Sequence, residues 1–440
     1  MKRICFFLAV AIFAAGPPAE QAAIDRISAD SLRTDLTFIA SDELEGRNTP
    51  SPGLDRAADY IAEQFRRAGL TPAAPDHSYF QVAKFDESTP DMNGFHLVLK
   101  GANKQLDIPV SEARPRTLTA LDFTDAPVVA LPPNGAIPNV AGMVVAGAAQ
   151  RYGDDALLEE LESRKAALIL LIGKSGRPSR AGRFLDDLEL HHPPVIRIRD
   201  SAAFELLQKT AHFTLTLHLA KPAVNEVSLR NVAGLLPGSD PMLRDQYVLL
   251  TAHYDHLGKG PKGIFNGAND NGSGTVSVIQ IADALATLNP RPRRSILFMT
   301  FFGEEEGLLG SYYYAHSPLF PLASTVADIN LEQMGRTDET SGRRVLSFTF
   351  TGPAYSNLPA IMSAAAKTEG IGTWPLKDAD GFFDRSDNYA FALHGVVAHT
   401  IAVAAEYPEY HAVGDTVEKI DFANMAAVDR GVAAGVLRIA

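Results

Sequence analysis

Two imidazoles and three carboxylates stand where apolar runs stop. The run Tyr247 to Ala252 leads into His253-Tyr254-Asp255-His256, and the run Ser295 to Phe302 leads into Glu304-Glu305-Glu306. The run Val326 to Leu331 ends in Glu332, and Val396 to Val403 precedes a loop carrying Tyr410-His411. Between the first two runs, the glycine-rich GANDNGSG holds Asp270. Taken singly, these read as a hydrogen-bonded surface pair, a solvated face and a turn. Together they are imidazole and carboxylate donors with no thiolate, the donor types of a catalytic zinc and not of a closed structural one. Five donors are too many for one catalytic zinc with its water. They suit two ions ~3.5–4 Å apart that share a carboxylate, the arrangement of two-metal hydrolytic sites.

Side chains so far apart in sequence meet only if the fold gathers them. Short, nearly all-apolar strands that alternate with helices predict an α/β sandwich whose sheet is covered on both faces. Ligands of such sheets bind beyond the carboxyl ends of the strands. The helix after Asp270 is expected to be capped by Ser273, with Val278, Ile281, Leu285 and Leu288 at i, i+3, i+7 and i+10. Upstream, Leu54, Ala58, Ile61, Phe65 and Ala68 form one apolar helical face, and Gly69 stops it. Alternating patterns over Tyr79 to Phe85 and Phe95 to Lys100 predict strands.

The texture changes near residue 112. Pro-rich turns separate the short strands Val128 to Leu131 and Met143 to Ala146. A helix, Asp155 to Ala166, leads into the strand Ala167 to Ile172. A strand Pro194 to Ile198, a helix Ser201 to Thr210 and a strand Phe213 to Leu219 complete a compact α/β insert, residues 112–224. Its His191-His192 pair reads as loop surface.

The chain has 440 residues, 46% of them hydrophobic and 21% charged, and a net charge of −12. Such a chain buries a large core without staples, and it offers no broad basic surface for nucleic acid. Residues 1–23 read as a secretory signal: Lys2 and Arg3, then an apolar run from Ile4 to Ala15, with cleavage expected between Ala15 and Ile24. That run is shorter than the ~20 residues of a membrane span. The sole cysteine, Cys5, would leave with the signal, which fits a bacterial periplasm or extracellular space. No later stretch is long and apolar enough to suggest a membrane anchor.

The blocks HYDHLG, GANDNGSG, GEEEGLLGS, NLEQMGR and YHAVGDTVEKID, in that order, resemble those of the secreted dizinc aminopeptidases. That family includes bacterial leucyl aminopeptidases and, more distantly, glutamate carboxypeptidase II and glutaminyl cyclases. SDELEGR resembles the family's N-terminal block, and the insert resembles its protease-associated domain. The resemblance implies a three-layer α/β sandwich with a mixed central sheet, built discontinuously from residues 24–111 and 225–440, with the smaller insert between them. It implies two zinc ions per chain and peptide substrates with a free N-terminus. His253 and Glu332 would bind one ion, Glu305 and His411 the other, and Asp270 would bridge. Glu304 would be the general base, and Glu306 falls on a variable position. Asp255 would orient His253, and Tyr410 would stabilise an oxyanion.

Two positions depart from the family pattern. Glu332 stands where many members have Asp, and Asp387-Asn388 stands where the family usually has Asp-His. A carboxypeptidase of the same fold is the competing reading, and it requires a cation such as Arg336 or Arg385 for a substrate carboxylate. A third reading is an inactive binding module.

Overall fold

The computed structural model describes residues 18–132, 136–149, 155–174, 184–187, 193–209 and 212–440. Most of the expected leader, with Cys5, and the His191-His192 pair lie outside these residues. Pro18–Ile24, which overlaps the leader's expected end, is a helix whose Ala23 and Ile24 are buried in the main core.

Four parallel strands form the centre of the main sheet. Their spatial order is Ala398–Ala402, Thr325–Glu332, Tyr247–His253 and Ser295–Phe301. The chain therefore leaves Tyr247–His253 first to one side and then to the other, which opens a crevice at the carboxyl ends of these strands. Antiparallel strands flank the four. Ser347–Phe350 pairs with Ala398–Ala402, and Ala223–Leu236 pairs with Ser295–Phe301 and with Phe80–Thr89. The sheet is mixed, as expected.

The apolar runs explain the layering. Successive side chains of a strand point to opposite faces. Val248, Leu250, Ala252, Ile296 and Phe298 enter a core shared with the helices Ala29–Ile39, Pro52–Arg67, Gly274–Ala286 and Phe422–Ile439. Leu249, Leu297, Met299 and Phe301 enter a second core with Tyr314 and Phe391, from Leu309–His316 and Asn388–Leu393. Both faces are buried, so the strands are largely apolar on both sides. Asp328 and Asn330 of Thr325–Glu332 are buried with hydrogen-bond partners in Thr251 and Ser386. After Pro52–Arg67, Gly69 at φ +77 ends the helix, with Leu70 N bonded to Phe65 O.

Ser273 does not cap its helix. Its own backbone is already helical, and its hydroxyl donates to Asn269 O at 2.7 Å. Asn271 Oδ1 instead accepts from Gly274 N at 3.0 Å. The reason is that the preceding turn, Ala268–Ser273, is itself helical in part and is buried throughout.

A second, eight-stranded sheet carries the insert. It too is covered on both faces: Leu168, Leu170 and Ile172 face one core, and Ile169 and Leu171 face another. The expected boundary at 111/112 is not where the sheets part. His96–Lys100 and Gln105–Asp107 pair into the second sheet through His212–Leu219. Conversely, Phe184–Asp187 pairs with Phe80–Thr89 of the main sheet. Strand pairing over such separations leaves no trace in local pattern. Among the described residues, no helix is long and apolar enough to cross a membrane.

Candidate metal centre

The five expected donors meet at the carboxyl ends of the parallel strands. His253 and Glu332 are the last residues of their strands, and Glu304 and Glu305 follow Ser295–Phe301 by a short turn. Asp270 comes from the buried turn before Gly274–Ala286, and His411 comes from the loop after Ala398–Ala402. His253 Nε2 lies 3.2 Å from Glu332 Oε1, 3.6 Å from Asp270 Oδ1 and 3.8 Å from Glu304 Oε2. His411 Nε2 lies 3.1 Å from Asp270 Oδ2 and 3.2 Å from Glu305 Oε2. The two oxygens of Asp270 thus face the two imidazoles separately. Tyr410 stacks on the His411 ring with centroids 4.0 Å apart.

A ring of polar contacts holds these groups in place. Asp255 Oδ1 is 3.4 Å from His253 Nδ1, and Asp255 Oδ2 accepts from Thr49 Oγ1 at 3.2 Å. Asp415 accepts the amides of Asn269 and Asp270, each at 3.0 Å, and the Tyr407 hydroxyl, so it fixes the turn that presents Asp270. Ser386 Oγ donates to Glu332 Oε1 at 2.6 Å. Asn388, at the position where the family usually has a histidine, is buried and bonded to its neighbours. Its Nδ2 donates to Phe383 O at 3.0 Å, and its Oδ1 accepts from Thr400 Oγ1 at 2.7 Å. Glu306 meets Arg114 of the insert at 3.4 Å.

The acids respond unequally to their crowding. Burial, then Glu305, Glu332 and Asp387, push the Glu304 carboxyl well above the ordinary range, against the pull of His253. Burial also works against a charge on Glu305, but His411 and His256 hold its carboxyl down at about 2. Asp270 is likewise held low by His253 and His411 despite burial. Burial opposes a charge on His253, yet Glu332 and Glu304 hold its imidazole well above the usual range. Glu304 therefore takes up a proton more readily than Asp270 and Glu305, whose carboxyls are held low.

The donor set fits divalent cations. Asp270 Oδ2 is buried and close to His411 but not aligned for a hydrogen bond, and His256 Nε2 is buried with no partner. Two triplets offer donor atoms all within 4.8 Å of one another: His253, Glu304 and Glu332, and His256, Asp270 and Glu305.

His256 carries no expected role in the sequence reading, yet its Nδ1 is 2.7 Å from Glu305 Oε1. The only signal for it was its adjacency to Asp255. Ser386 and Asp415 likewise lie inside matched blocks or beside them, with nothing in their types to mark them. Arg336 is bound to Asp338 and to Glu409, the latter at 2.7 Å, and its side chain is 2% exposed.

The profile of peptidase family M28 matches residues 231–436. A vacuolar membrane protease of Verticillium alfalfae is 34% identical over 167 residues, which are 37% of this chain and 15% of that protein. A probable lipoprotein aminopeptidase of Mycobacterium tuberculosis is 24% identical, covering 95% of this chain and 87% of the relative. The chain thus spans a small part of the first relative and most of the second. Among solved structures, an aminopeptidase from Aneurinibacillus sp. strain AM-1 superposes with a TM-score of 0.62 at 19% identity over 96% of each chain. The zinc aminopeptidase BSAP of Bacillus subtilis gives 0.53 at 19% identity, covering 93% of this chain and 95% of that one. Both likenesses are of fold.

Proposed function

Because residues 231–436 match the model of peptidase family M28, we propose that the chain is an aminopeptidase of that family that removes N-terminal residues from peptides using two zinc ions. One observation carries this reading: Asp270 sets one oxygen 3.6 Å from His253 and the other 3.1 Å from His411, each imidazole having a further carboxylate beside it. His253 and Glu332 would hold one ion, Glu305 and His411 the other, and Asp270 would lie between them. When bound, the ions would activate a water at neutral pH and polarise the scissile carbonyl.

The chain's own residues do the rest. Glu304 takes the proton of the attacking water on its carboxylate and passes it to the leaving amine. Its raised proton affinity suits that role. Asp255 orients the His253 ring. Tyr410, fixed by its stacking on His411, donates to the developing oxyanion. On residues 1–23 we read the enzyme as exported, and on the family resemblance we read the second sheet as a protease-associated insert.

The relatives named as aminopeptidases support this reading. Arg336, a candidate for a carboxypeptidase's substrate clamp, is already bound by two carboxylates, which weighs against the competing reading. The test is a panel of amino-acid p-nitroanilides set against N-blocked peptides, with chelator and with added zinc. Zinc-dependent cleavage of free-amine substrates is the expected result. Cleavage of blocked peptides alone would overturn it. Well under one zinc per purified chain would favour an inactive module.

A further inference from the structure

Arg47 sits in the N-terminal block, yet it is 0% exposed. The chain reaches it through three consecutive left-handed residues: Glu45 at φ +46, Gly46 at φ +73 and Arg47 at φ +50. For residues with side chains that conformation is unfavourable and persists only where surrounding contacts enforce it. Here the enforcement is visible. At Gly46 a Cβ would collide with the carbonyl oxygens of Phe265 and Gly258, so the segment is threaded between two loops. Arg47 O and Gly46 O accept from the amides of His256 at 3.2 Å and Gly258 at 3.0 Å.

The guanidinium closes the gap between those loops. Nε donates to Tyr254 O at 2.8 Å, Nη1 to Ile39 O at 2.6 Å and to Asn266 O at 2.7 Å, and Nη2 to Gly267 O at 3.0 Å. Tyr254 lies between His253 and Asp255. Asn266 and Gly267 open the turn that presents Asp270. A planar fork of five donors can hold such a set of acceptors at fixed spacing, and an ammonium cannot. Burial lowers the pKa of Arg47 to about 10, opposed by Asp255, Asp415, Asp270 and Glu305, so the group is a cation at neutral pH.

We propose that Arg47 is a positioning residue of the metal centre, holding the His253 loop and the Asp270 loop in the register in which their side chains face one another. The proposal rests on the zinc reading above. It separates cleanly from a charge effect. A buried cation near the donors repels a metal ion by Coulomb's law, so losing the charge alone would tighten zinc. Losing the clamp would weaken it.

The experiment measures Zn2+ dissociation by chelator competition on the full chain stripped of metal, for the parent, Arg47→Lys and Arg47→Met. The visible absorption of the same proteins loaded with Co2+ is recorded alongside. The parent is expected to bind two ions. Arg47→Met should bind Zn2+ roughly tenfold or more weakly, the scale of lost ligand-orienting partners. Arg47→Lys keeps the charge but not the fork, so it should fall between the two, with an altered Co2+ spectrum. A parent that binds both ions beside variants that bind as tightly or more tightly overturns the Arg47 proposal alone. A parent that binds no zinc overturns the zinc reading, and this proposal with it. If Arg47→Met does not fold, the lysine variant decides: weaker Zn2+ with a changed Co2+ spectrum supports the clamp, and parental values for both overturn it.

Discussion

Asp255 Oδ1 accepts a hydrogen bond from the backbone amide of Glu304 at 3.0 Å. The same oxygen is 3.4 Å from His253 Nδ1, and Asp255 Oδ2 accepts from the amide of Glu305 at 3.4 Å. One buried carboxylate therefore sets both a candidate ligand and the loop that carries the candidate base. Asp255→Asn places an amide group where only acceptors fit, so one N–H must face another. We expect kcat/KM to fall by roughly 10–100-fold with weakened zinc binding. Steady-state kinetics with metal analysis checks this, and parental values for both would show that Asp255 does not couple the two.

Glu304→Gln keeps the shape of the side chain and removes its proton affinity. Metal content should remain at the parental level while kcat falls by about 10²–10⁴-fold. Asp270→Ala should instead lose metal, because both imidazoles lose the carboxylate between them. Near-normal turnover by the glutamine variant would assign the base elsewhere.

The strands and the donors near their ends were readable because a sheet covered on both faces favours nearly continuous apolar runs, and three of those runs lead straight into groups that do not belong in a core. His253, Glu305 and Glu332 stand out for that reason, and Asp270 and His411 only through the glycine-rich segment and the loop that carry them. What supports them was not readable. Arg47 acts through four backbone carbonyls, which any residue type carries. Asp415 acts on two amides. His96–Lys100 looks like any alternating strand, and only its long-range partner His212–Leu219 assigns it to the insert's sheet.

Ser386 donates to the Glu332 oxygen nearest His253, and its own Oγ accepts from Asn330 Nδ2 at 2.7 Å. Asn330 keeps a second acceptor in Thr400 Oγ1 at 3.0 Å, so the core tolerates loss of the serine hydroxyl. Ser386→Ala should cost about 1 kcal/mol of stability. Zinc affinity should fall more, by roughly tenfold, because Glu332 loses the contact that aims it. Thermal unfolding and chelator competition on one preparation compare the two, and an unchanged zinc affinity would leave Ser386 a purely structural group.

Asp429 offers a test of pH dependence outside the donor cluster. It lies on Phe422–Ile439 and accepts from Ser277 Oγ at 2.9 Å, while its other oxygen is buried without a partner. Burial pushes its carboxyl from 3.8 up to about 8, with Ser277 and Arg430 opposing. The folded chain thus holds this proton more tightly than the unfolded chain. Its contribution is fully present below pH 3.8 and is lost as pH rises through about 8. Asp429→Asn keeps an acceptor for Ser277 and cannot ionise. Relative to the parent it should gain stability as pH rises from 5 to 8, by on the order of a few kcal/mol. Urea unfolding of both proteins at the two pH values measures the difference. If that difference is the same at both, Asp429 does not titrate in this window, and its burial is compensated by a contact other than Ser277.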